Sequence, residues 1–178
     1  MEPVEKDSAQ AKSAAFALAT GWADYLSATS DKIDEGKSFM RKTALDVICQ
    51  TGYADASVYD SLEKSYLNNF IRETPDYDEI HKTLIALSSI NSDQSVNMLF
   101  IFLQGLNQKK SNGVWTTKEE QIFPWIVENL SVSNHITKNI WSLLVLIFRT
   151  EKYSETERNC AKEALVKIRE ANKQPEDD

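Results

Sequence analysis

A chain of 178 residues with 42% hydrophobic and 26% charged positions can bury one core but is too short for two large ones, so one domain is expected over residues 8–173. Only 5 glycines and 4 prolines are present, too few turn residues for many short strands, and this composition predicts an all-α fold. The formal charge of −7 and pI near 5.0 create a field that repels phosphate, which argues against nucleic acid as a partner.

Residues 1–7 are expected to be flexible. The first predicted helix runs from Ser8 to Ala28, with Phe16, Leu18, Ala19, Trp22, Ala23, Tyr25 and Leu26 at helical spacing. The polar segment Thr29 to Gly36 reads as a loop. Helices then follow over Phe39 to Thr51 and Ala56 to Phe70, joined as a hairpin by Gly52-Tyr-Ala-Asp55. Gly52 suits the left-handed conformation that closes a helix, and Asp55 suits the cap that opens one.

A second hairpin is expected from Thr74-Pro75, read as a capping hydroxyl and an N1 proline, through Ile80, Leu84, Leu87 and Ile90. Asn91-Ser-Asp-Gln94 turns the chain into a helix carrying Val96, Leu99, Leu103 and Leu106, which ends near Lys109, before a loop to Gly113. Thr116-x-x-Glu119 and Thr117-x-x-Glu120 are overlapping capping boxes for a helix through Ile122, Trp125, Ile126 and Leu130. Pro124 inside that run predicts a kink or a break. The last pair spans Ser133 to Arg149 and a helix capped by Ser154-x-x-Glu157, with Ala161, Ala164, Leu165 and Ile168 inward. Residues 174–178 form an acidic tail expected to be disordered.

Aligning Val47-Ile48-Cys-Gln-Thr51-Gly52 with Ala86-Leu87-Ser-Ser-Ile90-Asn91 gives a shift of 39 (86 minus 47), and aligning Ser57-Val58 with Ser95-Val96 gives 38 (95 minus 57). On these residues, and on the more weakly matching Ile122-Phe-Pro124-Trp-Ile126-Val-Glu-Asn-Leu130, the chain resembles the HEAT-repeat family, with Asn91 where that family usually has Gly. The resemblance covers residues 47–103 best. It implies about eight helices in four antiparallel pairs stacked as a short α-α superhelix. The physical argument runs the same way: a hairpin with an apolar stripe cannot bury it alone, so neighbours must stack. Met98 to Leu103 and Leu143 to Phe148 are apolar around the whole helix, which predicts burial on both sides, against the competing reading that one face is an exposed partner site.

The motifs offer little chemistry. His81 and His135 lack partners at ligand spacing, so no metal is expected. No phosphate loop, Gly-x-Ser-x-Gly or Cys-x-x-Cys is present, and no cofactor is expected. Asp31 to Lys42 fails as a calcium loop, because Ile33 and Lys42 stand where oxygen ligands are needed. Asn129-Leu-Ser131 fits the glycosylation triplet only if the chain is secreted. Glu119 and Glu120 suit a helix start rather than a catalytic pair. Cys49 and Cys160 are expected to be free thiols, with one long-range disulfide between them as the alternative, and Trp22, Trp125 and Trp141 to be core.

Trp115 in a loop, Tyr77 near a helix start and Tyr53 in a turn are the candidate partner-binding residues, because aromatic side chains offer large area with few rotatable bonds. Trp115 folding back over the end of a hydrophobic layer is the competing reading. The expected role is a non-catalytic interaction or scaffold module, not an enzyme, with another protein or peptide as partner. Two alternatives stand beside it: a HEAT-like enzyme of DNA-glycosylase type, disfavoured by the acidic charge, and a regulatory subunit of a larger assembly. No run approaches the ~20 apolar residues that span a bilayer, so no membrane insertion is expected. The cytoplasm is the default compartment; the periplasm or secretion would follow if Met1 replaces a removed signal peptide.

Overall fold

Eight α-helices and no strand make up the described residues of the computed structural model, which are 9–23 and 31–172, with side chains over 9–20 and 37–172. The expected flexible N-terminus, the acidic tail and the side chain of Trp22 lie outside them. Two compact units divide the chain at residues 90 and 91. Unit 1 holds α1 (Ala9–Ala23), α2 (Asp31–Thr51), α3 (Ala56–Ile71) and α4 (Tyr77–Ile90); unit 2 holds α5 (Asp93–Ser111), α6 (Thr117–Ser131), α7 (Lys138–Arg149) and α8 (Glu155–Ala171). The fold is all-α.

Local chemistry sets most helix ends. The Asp55 carboxylate accepts from Val58 N at 3.0 Å and caps α3. Thr116 with Glu119 and Ser154 with Glu157 form complete capping boxes at the starts of α6 and α8, and Ser92 with Ser95 does the same for α5. α2 closes at Gly52, whose φ of 61° is left-handed and whose N–H donates to the Ile48 carbonyl at 2.8 Å. Asn91 repeats that left-handed geometry after α4 with φ of 47°.

Several boundaries differ from the sequence expectation. α2 begins at Asp31, so residues 31–36 are helix rather than loop. A run rich in Lys, Asp and Glu propagates a helix readily, and the single Gly36 within it costs only about 1 kcal/mol. The cap of α4 is Asp76, whose Oδ1 accepts from Glu79 N at 3.1 Å, in place of Thr74. A carboxylate two residues past the expected cap meets the free N–H groups directly, so Pro75 stands outside the helix. α6 runs unbroken through Pro124. α7 starts at Lys138 behind its Thr137 cap, because residues 133–135 are held elsewhere: the Asn91 Oδ1 accepts from Ser133 Oγ at 3.1 Å and Asn134 N at 3.2 Å.

The packing of unit 1 is built around α2 and α4. α2 lies against α1 and α4, and α3 lies against α4 and α1. The tight turn at Gly52 therefore does not join two helices that lean broadly on each other, as a hairpin of α2 with α3 would require. Residue numbers rise together along α2 and α4: Ser38 and Lys42 each donate to Asp76 Oδ2 at 2.9 Å, Arg41 meets Glu79, and Asp46 pairs with Lys82. The Cys49 thiol donates to the Lys82 carbonyl at 3.5 Å. The two helices are parallel, with Arg41 and Glu79 offset by 38 (79 minus 41) and Asp46 and Lys82 by 36 (82 minus 46). Leu18, Leu45, Ile48, Leu62, Ile80, Leu84 and Leu87 fill the interior of unit 1. Each such fully buried side chain contributes about 1.5–3 kcal/mol of transfer free energy.

At the centre of that interface sits a completely buried ion pair. Arg41 Nε donates to Glu79 Oε1 at 2.8 Å and Nη2 to Oε2 at 3.1 Å, with neither side chain exposed. Ser65 on α3 adds a donor to Glu79 Oε1 at 2.9 Å, and the Thr83 hydroxyl lies 3.0 Å from Ser65 Oγ. Three helices thus share one satisfied polar cluster inside an apolar layer. The contacts from Ser65 to Glu79 and Thr83, close to the facing ends of α3 and α4, make that pair antiparallel.

Unit 2 follows a similar plan, pairing α5 with α6, α7 with α8, and α6 with α8. The N-caps of the two capping boxes, Thr116 and Ser154, are separated by 38 residues (154 minus 116). Adjacent lysines at the end of α5 serve both: Lys109 Nζ donates to Glu119 at 2.7 Å and Lys110 Nζ to both Glu157 oxygens at 3.1 Å. α6 and α8 therefore begin at the same end of the unit. The two wholly apolar runs are each buried on one side only: Leu99, Phe102, Leu103, Leu143, Leu144 and Ile147 are inside, while Ile101, Leu146 and Phe148 are exposed. Trp141 is also exposed and Trp125 half-buried, against the expectation of core. A helix packed along one stripe leaves its remaining circumference outside, whatever residues stand there.

Two outcomes check this account. Gly52→Ala is expected to destabilise the protein by about 1–3 kcal/mol in urea unfolding, since its Cβ would stand 2.8 Å from the Ser89 carbonyl oxygen at a left-handed φ; unchanged stability would contradict the close approach. The second concerns acid. Burial opposes ionisation of Asp76, but hydrogen bonds from Lys42, the Glu79 N–H and Ser38 outweigh it and hold the carboxyl below its ordinary value of 3.8. A depressed folded pKa stabilises above the unfolded value and ceases to do so as pH falls through the folded one. Asp76→Asn is therefore expected to cost about 1–2 kcal/mol at pH 7 and progressively less in acid, as the pH falls below 3.8 and through the lowered folded value. An equal cost at pH 7 and in acid would remove the charge from the explanation.

Candidate functional site

An uncharged groove lies between α1 and α2 in unit 1. Gln10, Ser13, Ala14 and Ala17 form one wall; Phe39, Met40, Thr43, Ala44 and Val47 form the other, around a volume of about 320 Å³. The spacing explains the walls. On each helix these positions recur at one-turn intervals and share a face. On α2 that face is opposite the one bearing Arg41, Ser38, Lys42 and Cys49, which meets α4. Small residues keep the α1 wall low, and Phe39 and Met40 stand up from α2 with 71% and 49% of their surface exposed.

Among the described residues, no ionisable side chain lines the groove. Its polar groups are Gln10, Ser13 and Thr43, and the Thr43 hydroxyl already donates to the Phe39 carbonyl at 2.9 Å. Such a lining can bury apolar surface and orient little else. It supplies no base, nucleophile or cation site. Among the described residues, no group of three or more His, Cys, Asp or Glu could hold a metal ion, and no helix is long and apolar enough to cross a membrane.

The three aromatic residues singled out in the sequence stand apart from this groove and do not form one site. Trp115, in the loop before α6, packs edge-on against Phe123 and Tyr153 at centroid distances of 6.0 and 6.3 Å. Lys110 Nζ lies 4.2 Å from its ring centroid, and its enclosed Nε1 has no acceptor. The Tyr153 hydroxyl donates to Asn107 Oδ1 at 2.7 Å, so the half-buried indole covers a built cluster. Tyr53 is half-buried in the α2–α3 turn with its hydroxyl 3.1 Å from Asp55 Oδ2. Tyr77 is half-buried at the start of α4. Because α2 and α4 are parallel, Tyr53 and Tyr77 mark opposite ends of unit 1.

Phe39 and Met40 were not singled out by the sequence reading. Their signal was present in Phe-Met-Arg-Lys: two apolar residues precede Arg41, and the cation points inward while Phe39 stays largely outside. His135 Nδ1 lies 2.7 Å from Asp93 Oδ1 on the surface of unit 2, a tie between the residues preceding α7 and the start of α5.

Both cysteines are free and half-buried. Burial, reinforced by Asp46, pushes the Cys49 thiol up to about 12; burial, with Glu163 and Glu128, pushes Cys160 up to about 11. Both are protonated thiols at neutral pH, poor nucleophiles and poor metal ligands. Iodoacetamide labelling of the folded chain at pH 7.5 is expected to be at least about tenfold slower at both than after unfolding; equal rates would refute the burial of the thiols. Compared with known proteins, the chain matches no protein-family model, no curated protein and no solved structure.

Proposed function

We propose that the chain is a non-catalytic interaction module of HEAT-like type, whose α1–α2 groove docks an apolar segment of a protein partner. The observation that carries this reading is the groove itself: an uncharged trough with Phe39 and Met40 on its rim. An exposed aromatic next to small residues offers a partner both a pocket and an anchor. The parallel, one-repeat offset of α2 and α4 supports the HEAT-like part of the reading. The glycosylase alternative needs a basic concave surface with an acid among aromatics, and the groove has neither charge.

The test is photo-cross-linking in cells that express the chain with p-benzoylphenylalanine in place of Phe39. Protein adducts at position 39 are expected to exceed those at the exposed α8 position Lys162, and to vanish when Thr43→Lys places a charge in the groove. Trp115→Ala, which removes a ring from the cluster with Tyr153, is expected to leave the adducts in place. Equal adducts at positions 39 and 162, insensitive to Thr43→Lys, would sink the proposal.

A further inference from the structure

Resting on the interaction-module reading, we infer that the partner segment in the α1–α2 groove is a single amphipathic helix lying parallel to α2, in the position a preceding repeat would fill. The argument comes from the chain's own interface. α4 meets α2 through Asp78, Glu79 and Lys82, and its last turn approaches Gly52 at Ser89. Moved back by the 39-residue shift of the sequence, Asp78, Glu79 and Lys82 fall on Phe39, Met40 and Thr43, all of which line the groove. The groove wall is thus the counterpart, one repeat earlier, of the surface on which α4 receives α2. It continues an interface that the fold has already built once.

The chemistry of the occupant follows from what changes between the two copies. α4 offers α2 charged side chains, and α2 answers with Arg41, Lys42 and Asp46. At the corresponding positions the groove offers Phe39, Met40 and Thr43, none of which can neutralise a charge. A charged residue facing this wall would lose water and gain no partner. The occupant therefore presents an apolar, uncharged stripe with helical spacing and keeps its charges on the far side, a helix-in-groove mode of recognition.

The test uses a synthetic peptide of roughly 18 residues, five turns, with leucines at i, i+3, i+4 and i+7 and Lys and Glu elsewhere. Its fluorescence anisotropy is followed against the full chain, beside a scrambled peptide of the same composition. The striped peptide is expected to bind and the scrambled one not. Met40→Glu or Thr43→Lys should weaken binding at least about tenfold with the helical circular dichroism retained, and Lys162→Glu should leave it unchanged. A nitroxide on the peptide N-terminus should broaden resonances near Lys37 to Met40, and one on the C-terminus those near Val47 to Thr51. Absent binding, binding indifferent to both groove variants, or the reverse polarity would overturn the inference. So would a chain dimer in sedimentation that Met40→Glu dissolves, since the occupant would then be a second copy. A partner cross-linked at position 39 through an extended segment would keep the interaction role and remove the helix.

Discussion

One buried contact governs unit 1: the bidentate pairing of Arg41 on α2 with Glu79 on α4, with both side chains fully inside. Taking two charges out of water is costly, and a well-packed apolar pair in the same space would be as stable or more so. The value of the pair lies in what it forbids. Sliding α2 by one turn along α4 would leave a guanidinium and a carboxylate buried without each other, a loss of several kcal/mol that apolar contacts between these helices could not offset. The surrounding bonds from Ser65, and the rim pairs of Lys42 with Asp76 and Asp46 with Lys82, agree with the same register.

Once that register is fixed, the rest of unit 1 follows from helix geometry. With one face of α2 turned to α4 and another resting on α1, its remaining face holds Phe39, Met40 and Thr43, which the described residues leave exposed. Several ionisable groups elsewhere are committed to structure. Asp55, Asp76, Glu119 and Glu157 cap helices, Lys109 and Lys110 hold two of those caps, and the thiols are protonated and enclosed. The groove differs from these in being both exposed and unclaimed, which is why the functional reading centres on it.

Features decided within a few residues were legible in the sequence. Gly52, Asp55, Thr116 with Glu119 and Ser154 with Glu157 behave as their types and spacing imply, because a cap or a left-handed turn depends only on local backbone. The all-α class was legible for the same reason. What depends on tertiary partners was not. Arg41, beside Lys42, reads as surface, and only Glu79, 38 residues on, makes its burial tolerable (79 minus 41). The pairing of α2 with α4, rather than with its chain neighbour α3, is likewise set by faces whose roles sequence leaves open. Trp141, Leu146 and Phe148 looked like core because apolar residues usually are, yet a helix buried along one stripe cannot hide all of them.

The most direct measurement is a double-mutant cycle on Arg41→Met and Glu79→Leu by urea denaturation. The account predicts that each single change costs about 3–5 kcal/mol, and that the double variant recovers most of it, giving a coupling above about 2 kcal/mol. A coupling below about 1 kcal/mol, the range of solvent-exposed pairs, would show that this contact does not set the register of α2 on α4.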